Sequence, residues 1–165
     1  MSKTRRRFLQ TAAGAGALTS CSRHRGPWRF FTEDEMSLME AVADTLIPPD
    51  EFPGGAEAGV PVFLDRQLAG HYRKFQPLYR EGLAAIGADF AALSAEKRTE
   101  RMKQIEKSHP RFFATLLAHT MQGFYGDPRH GGNRGGIGYR MIGVPGTNVR
   151  GRSQHDLVKI RGTGV

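Results

Sequence analysis

The stretch FFTEDEMSLMEAVADTLIPPD, residues 30–50, marks its own beginning and end. Thr32 followed three residues later by Glu35 is a capping box, in which each side chain satisfies the other residue's backbone N–H at a helix start. Phe31 and Met36 hold the two positions of a hydrophobic staple, and Glu33 and Asp34 place negative charge against the positive end of the helix dipole. Met39, Val42, Ala43 and Leu46 then recur at helical spacing, forming one apolar face. Pro48 and Pro49 stop the helix, because proline supplies no N–H and its ring clashes with the preceding turn.

The same punctuation recurs along the chain. EFPGGAEAG reads as a loop, after which Pro61 stands at the first helical position of VFLDRQLAG. From Tyr72 onward a third pattern carries Tyr79, Leu83, Ile86, Phe90 and Leu93 at alternating helical spacings, with Gly82 and Gly87 weakening it without ending it. Ser94 is the N-cap of a charged surface helix whose strong apolar positions are Met102 and Ile105. Pro110 opens RFFATLLAHTMQGFY, with Phe113, Leu116, Leu117, Thr120 and Phe124 expected on the buried side. No run alternates with period two long enough for a strand. The fold class is therefore all-α: a small bundle of about five helices, a long Gly-rich C-terminal loop and an extended tail.

The chain carries a formal net charge of +8 over 165 residues, which at first suggests a nucleic-acid partner. However, Lys3, Arg5, Arg6 and Arg7 hold four of the 24 basic residues, so the rest sets 20 against 16 acidic ones. That excess is ordinary, and nucleic-acid binding is the least favoured class. The basic start leads into Phe8, Leu9 and an Ala/Gly-rich apolar run, the layout of an export signal too short to remain as a membrane span. Arg5 and Arg6 followed by Phe8 and Leu9 resemble a twin-arginine signal, which carries folded cargo. Leu18-Thr19-Ser20-Cys21 looks like a lipobox: Cys21 is either the lipidated first residue of the mature chain or an incidental residue near an ordinary cleavage site. As the chain's single cysteine it permits no internal disulfide and no multi-cysteine metal site. The organisation expected is a signal over 1–21, a linker over 22–28, a helical domain over 29–126, a Gly-rich docking loop over 127–146 and a basic tail over 147–165. The tail is either disordered or laid on a partner.

The six histidines show no metal-ligand spacing, so neither a metal nor a catalytic residue is assigned. GFYGDPRHGGNRGGIGYRMIGVPG, residues 123–146, holds nine of the 21 glycines. It lacks the terminal Lys-Ser/Thr of a phosphate loop and the Gly-x-Gly-x-x-Gly of a dinucleotide fold, and it follows a helix where both motifs follow a strand. Its single RGG triplet is short of an RNA-binding repeat. Interleaved aromatics, together with the paired turn signals Asp127-Pro128 and Val144-Pro145-Gly146, favour an ordered loop for protein contact over a floppy one. The contact residues expected there are Tyr125, Asp127, Pro128, Gly131, Gly132, Asn133, Gly138, Tyr139, Met141, Gly143, Pro145 and Gly146, with Phe30 and Phe31 as lesser candidates.

Three segments carry a resemblance to a known family: FFTEDEMSLMEAVADTLIPPD, PGGAEAGVPVFLDRQLAG, and the Gly-rich stretch with its Tyr-x-Asp-Pro-x-x-Gly-Gly-Asn core and Met-Ile-Gly-x-Pro-Gly end. Together with the signal, they make the chain similar to the gluconate 2-dehydrogenase subunit 3 family. That resemblance implies a non-catalytic small subunit with no cofactor of its own. The implied partner is a large glucose-methanol-choline-type flavoprotein that carries FAD, often with a multihaem cytochrome c subunit. The folded pair would cross to the periplasm by the twin-arginine machinery on this chain's signal, with membrane contact through Cys21 or through the complex. The competing expectation is a free-standing periplasmic lipoprotein enzyme or ligand-binding protein, using the Gly-rich loop with His119 or His130.

Overall fold

The computed structural model describes residues 27–144. Arg5, Arg6, Phe8, Leu9 and Cys21 of the expected signal lie outside the described residues, as do Pro145, Gly146 and the basic tail. Six α-helices follow in order: α1 (Glu33–Leu46), α2 (Val60–Ala69), α3 (Gln76–Ile86), α4 (Ala95–Ser108), α5 (Pro110–Tyr125) and the short α6 (Ile137–Met141). No strand occurs among the described residues, so the fold is the all-α bundle expected.

The start of α1 forms as its sequence dictates. Thr32 Oγ1 accepts from the Glu35 N–H at 3.2 Å while Glu35 Oε2 accepts from the Thr32 N–H at 2.9 Å. Phe31 and Met36 are both buried beside it. Helix α2 begins at Val60, one residue earlier than expected, with Pro61 in its first turn. Helix α5 opens at Pro110, and His109 alone joins it to α4.

Two expectations need correction. Gly87 does end α3: it adopts φ 91°, a conformation open to glycine and strained for other residues, and the chain continues as a 3-10 turn over Phe90–Ala92. Tyr79, Leu83, Ile86 and Phe90 are nevertheless all buried, because the bend returns Phe90 to the same core. The buried face of α5 also differs from the one expected. It consists of Phe112, Leu116, His119, Thr120, Gly123 and Phe124, whereas Phe113 is half-buried and Leu117 is exposed.

Helix α5 packs against every other helix and is the axis of the bundle. Gly82 of α3 lets it approach: a Cβ there would lie 2.4 Å from the Phe112 ring. The core around it holds Phe31, Met39, Val42, Leu64, Leu68, Tyr79, Ile86, Phe90, Leu116 and Phe124. One carboxylate is buried with them, that of Asp65 on α2, and it binds the chain just ahead of α1.

Candidate docking surface

The Gly-rich segment is compact. After α5 the chain makes 3-10 turns over Pro128–His130 and Arg134–Gly136 before α6. Asp127 starts the first turn: its Oδ1 accepts from the Arg129 N–H at 3.0 Å, and the Arg129 guanidinium engages both carboxylate oxygens. Those side-chain bonds, and then the backbone N–H, hold the Asp127 carboxyl down to about 2. Pro128 supplies the fixed φ of the turn, and Gly131 closes it at φ 102°.

Asn133 ties the segment together. It is fully buried and left-handed, with φ 43° and ψ 44°, a conformation that asparagine tolerates better than most residues. Its Nδ2 donates to the Gly126 carbonyl at 2.8 Å and its Oδ1 accepts from the Gly138 N–H at 2.8 Å. The Tyr139 hydroxyl donates to the same Gly126 carbonyl at 2.7 Å. The segment thereby closes back onto the end of α5. The approach is so close that a Cβ on Gly132 would lie 2.1 Å from the Gly123 carbonyl oxygen, and one on Gly138 2.3 Å from that of Phe124.

The expected contact residues therefore divide. Gly132, Asn133, Gly138 and Tyr139 are buried within the chain and support the surface from beneath. Phe30 and Phe31 are corrected from contact to core residues. Phe31 is fully buried and Phe30 nearly so, with Arg80 stacked 4.0 Å over its ring. Tyr125 is half-buried, its hydroxyl donating to Met141 Sδ at 3.7 Å, and Met141, Ile142, Gly143 and Val144 face outward.

The outward residues continue onto a surface that the sequence reading missed. Opposite the core face of α5 stand Ala114, Leu117, Ala118 and Met121, all exposed, with Tyr125 next along the same side. At 3.6 residues per turn they form one row, which Tyr125 joins to Met141. Leu117 is 38% exposed, Met121 42%, Met141 40% and Ile142 54%. From Phe112 to Gly126 there is no Asp, Glu, Lys or Arg. A helix with so long an uncharged run belongs in an interior, yet Leu117 and Met121 stay partly exposed on one side of α5. Covering each of its large side chains would contribute about 1 kcal/mol. The sequence did hold the signal, the uncharged run from Phe112 to Gly126, but periodicity cannot select the inner side of such a helix.

His119 points into the bundle. Its ring stacks on Tyr72 at 4.1 Å, and its Nδ1 lies 3.0 Å from the Tyr79 hydroxyl. Burial raises the Tyr79 pKa and keeps the phenol protonated, so the contact joins two neutral groups whose donor and acceptor roles follow the His119 tautomer. Burial also lowers the His119 pKa. His130 is exposed in the first 3-10 turn, so the two histidines considered for chemistry sit in different surroundings. No three His, Cys, Asp or Glu gather into a metal-binding group among the described residues. Shallow clefts of about 250–290 Å³ lie between α1 and α3, beside Pro110, and beside Pro48-Pro49; none is lined by the Gly-rich segment.

Fold and surface together define a small all-α domain with an uncovered apolar helix face, the construction expected of a subunit in a larger assembly. Residues 33–146, from the first residue of α1 through the Gly-rich segment, match the family described as Gluconate 2-dehydrogenase subunit 3, and the chain belongs to that family. No curated protein and no solved structure gave a match.

Proposed function

We propose that this chain is the non-catalytic small subunit of an FAD-dependent dehydrogenase of the glucose-methanol-choline type, exported with its catalytic subunit by the twin-arginine pathway and stabilising it. The observation that carries this reading is the uncovered side of α5, joined through Tyr125 to α6. A central helix uncharged from Phe112 onward, with large apolar side chains left exposed, is what a docking subunit needs and what an independent soluble protein avoids. Family membership supplies the kind of assembly, and the Arg5-Arg6-x-Phe8-Leu9 start supplies the route. Substrate oxidation and FAD then belong to the large subunit, with electrons passing on to a cytochrome c where one is present. The assembled complex resides in the periplasm at the membrane.

The test is purification of an affinity-tagged full chain from its native host. A flavoprotein in one-to-one amount, identified by its absorbance spectrum, is expected in the eluate. Leu117→Asp with Met121→Asp should remove it while leaving the melting of the small subunit unchanged. Recovery of the tagged chain alone, with full dehydrogenase activity elsewhere in the extract, would falsify the reading.

A further inference from the structure

The methionines of the bundle fall into two groups. Met36, Met39 and Met102 are buried in the core, whereas Met121 and Met141 are exposed. The exposed two flank one side chain. Met121 stands one turn before Tyr125 on α5, and Met141 of α6 accepts from the Tyr125 hydroxyl through its Sδ at 3.7 Å. Neither belongs to the core cluster, so a change at either sulfur leaves the packing of the bundle intact. No cysteine occurs among residues 27–144, which leaves these thioethers as the oxidisable sulfurs of that surface.

We infer that Met121 and Met141 are a paired sulfoxidation site, at which hydrogen peroxide acts while the three core methionines are spared, and that the oxidised row no longer docks. The docking half rests on the proposed subunit role and adds its regulation. In the reaction a sulfur lone pair takes one peroxide oxygen and the O–O bond breaks. The sulfur loses two electrons, and the peroxide is reduced to water as the proton of the transferred oxygen passes to the departing hydroxide. The product is a polar, chiral S=O group where the row was apolar. Covered by an apolar surface, that oxygen loses its water and gains no donor in return, so docking weakens. On the free chain Tyr125 supplies a donor to Met141, and a sulfoxide oxygen accepts more strongly than a thioether. Oxidation of Met141 therefore leaves α6 tied to α5, and its effect falls on the row while the bundle stays folded. Docking in turn covers both sulfurs, which confines the reaction to the unassembled chain.

The test uses the full chain and the assembled complex with hydrogen peroxide as oxidant, each methionine being followed by peptide mass spectrometry. In the free chain Met121 and Met141 are expected to gain one oxygen about tenfold faster than Met36, Met39 and Met102, and in the complex they should be protected. The oxidised chain should melt as the unoxidised one does and bind the flavoprotein subunit, purified from the same complex, about tenfold more weakly. Treatment with the two methionine sulfoxide reductases should restore binding. Met121→Leu with Met141→Leu is compared with itself before and after peroxide, and its affinity should change less than about twofold. Oxidation of the core methionines at the same rate overturns the paired site, and loss of the melting transition on oxidation shows an effect through the fold and overturns it too. Equal binding by the oxidised and unoxidised chains overturns the docking half while leaving the subunit role intact, as does an undiminished loss in the double leucine variant. Capture of no flavoprotein by the unoxidised wild-type chain removes both the subunit role and this inference.

Discussion

The carboxylate of Asp65 on α2 accepts a hydrogen bond from the backbone N–H of Phe31 at 3.0 Å, across 34 positions of sequence. The same side chain accepts from the Phe30 N–H at 2.8 Å and from the Arg29 N–H at 2.9 and 3.0 Å. Three consecutive N–H groups, otherwise orphaned ahead of the helix, converge on one buried acid. The segment entering α1 is thereby locked to α2, with Phe30 and Phe31 turned into the core.

Replacing Asp65 by alanine should cost about 3 kcal/mol, because the N–H groups lose their acceptor where water does not replace it fully. Asp65→Asn retains an acceptor oxygen without the charge and should cost about half as much. Urea denaturation of both variants measures the difference, and equal stability of Asp65→Ala and wild type would sink the assignment.

Asn133 should tolerate neither alanine nor glycine. Asn133→Ala loses both bridges of the Gly-rich segment and places a Cβ residue at positive φ without compensation, for a loss of about 2 kcal/mol. Asn133→Gly should recover only the backbone part, about 0.5–1 kcal/mol. Hydrogen exchange should then show faster exchange of the Gly138 amide in both variants; unchanged protection there contradicts the bridge.

Burial holds His119 below its ordinary value of 6.5. The unfolded chain therefore binds this proton more readily than the folded one. The contribution is complete above 6.5 and declines as pH falls through that value toward the lower folded pKa. His119→Gln keeps a polar group for the Tyr79 hydroxyl but removes the titration. Its stability should vary less than wild type between about pH 7 and about pH 5. Parallel curves for the two proteins would show that another group sets the slope.

Changing Arg5 and Arg6 together to lysine should leave the helical domain folded and retain both this chain and its flavoprotein in the cytoplasm. Fractionation, with dehydrogenase activity assayed in each compartment, decides it. Normal periplasmic activity in the double variant rules out the escort role.

Much of the fold was legible because local chemistry wrote it. The capping box of Thr32 and Glu35, the Pro48-Pro49 stop, the Pro110 start and the sparse apolar positions Met102 and Ile105 of α4 involve neighbours in sequence, and each is found in the structure. The Asp127-Pro128 turn was legible for the same reason. Phe30 and Phe31 were misplaced as contacts because the partners that bury their backbone, Asp65 and Arg80, lie on other helices. Asp65 itself gave no signal, since an acid within VFLDRQLAG reads as an ordinary polar-face residue.

By itself the sequence determined the helical class, most helix ends and the family, all of which depend on short-range spacing or on motifs that can be quoted. Only the tertiary structure decided which side of α5 is inner. Phe112, Leu116 and Phe124 are as apolar as Leu117, Met121 and Tyr125, so the 3.6-residue period contains no preference between the two sides. Packing resolves it through shape: Gly82 admits the Phe112 ring and Gly123 admits that of Phe63, which rotates the first set inward. Leu117 and Met121 are left facing out, where the partner surface is expected.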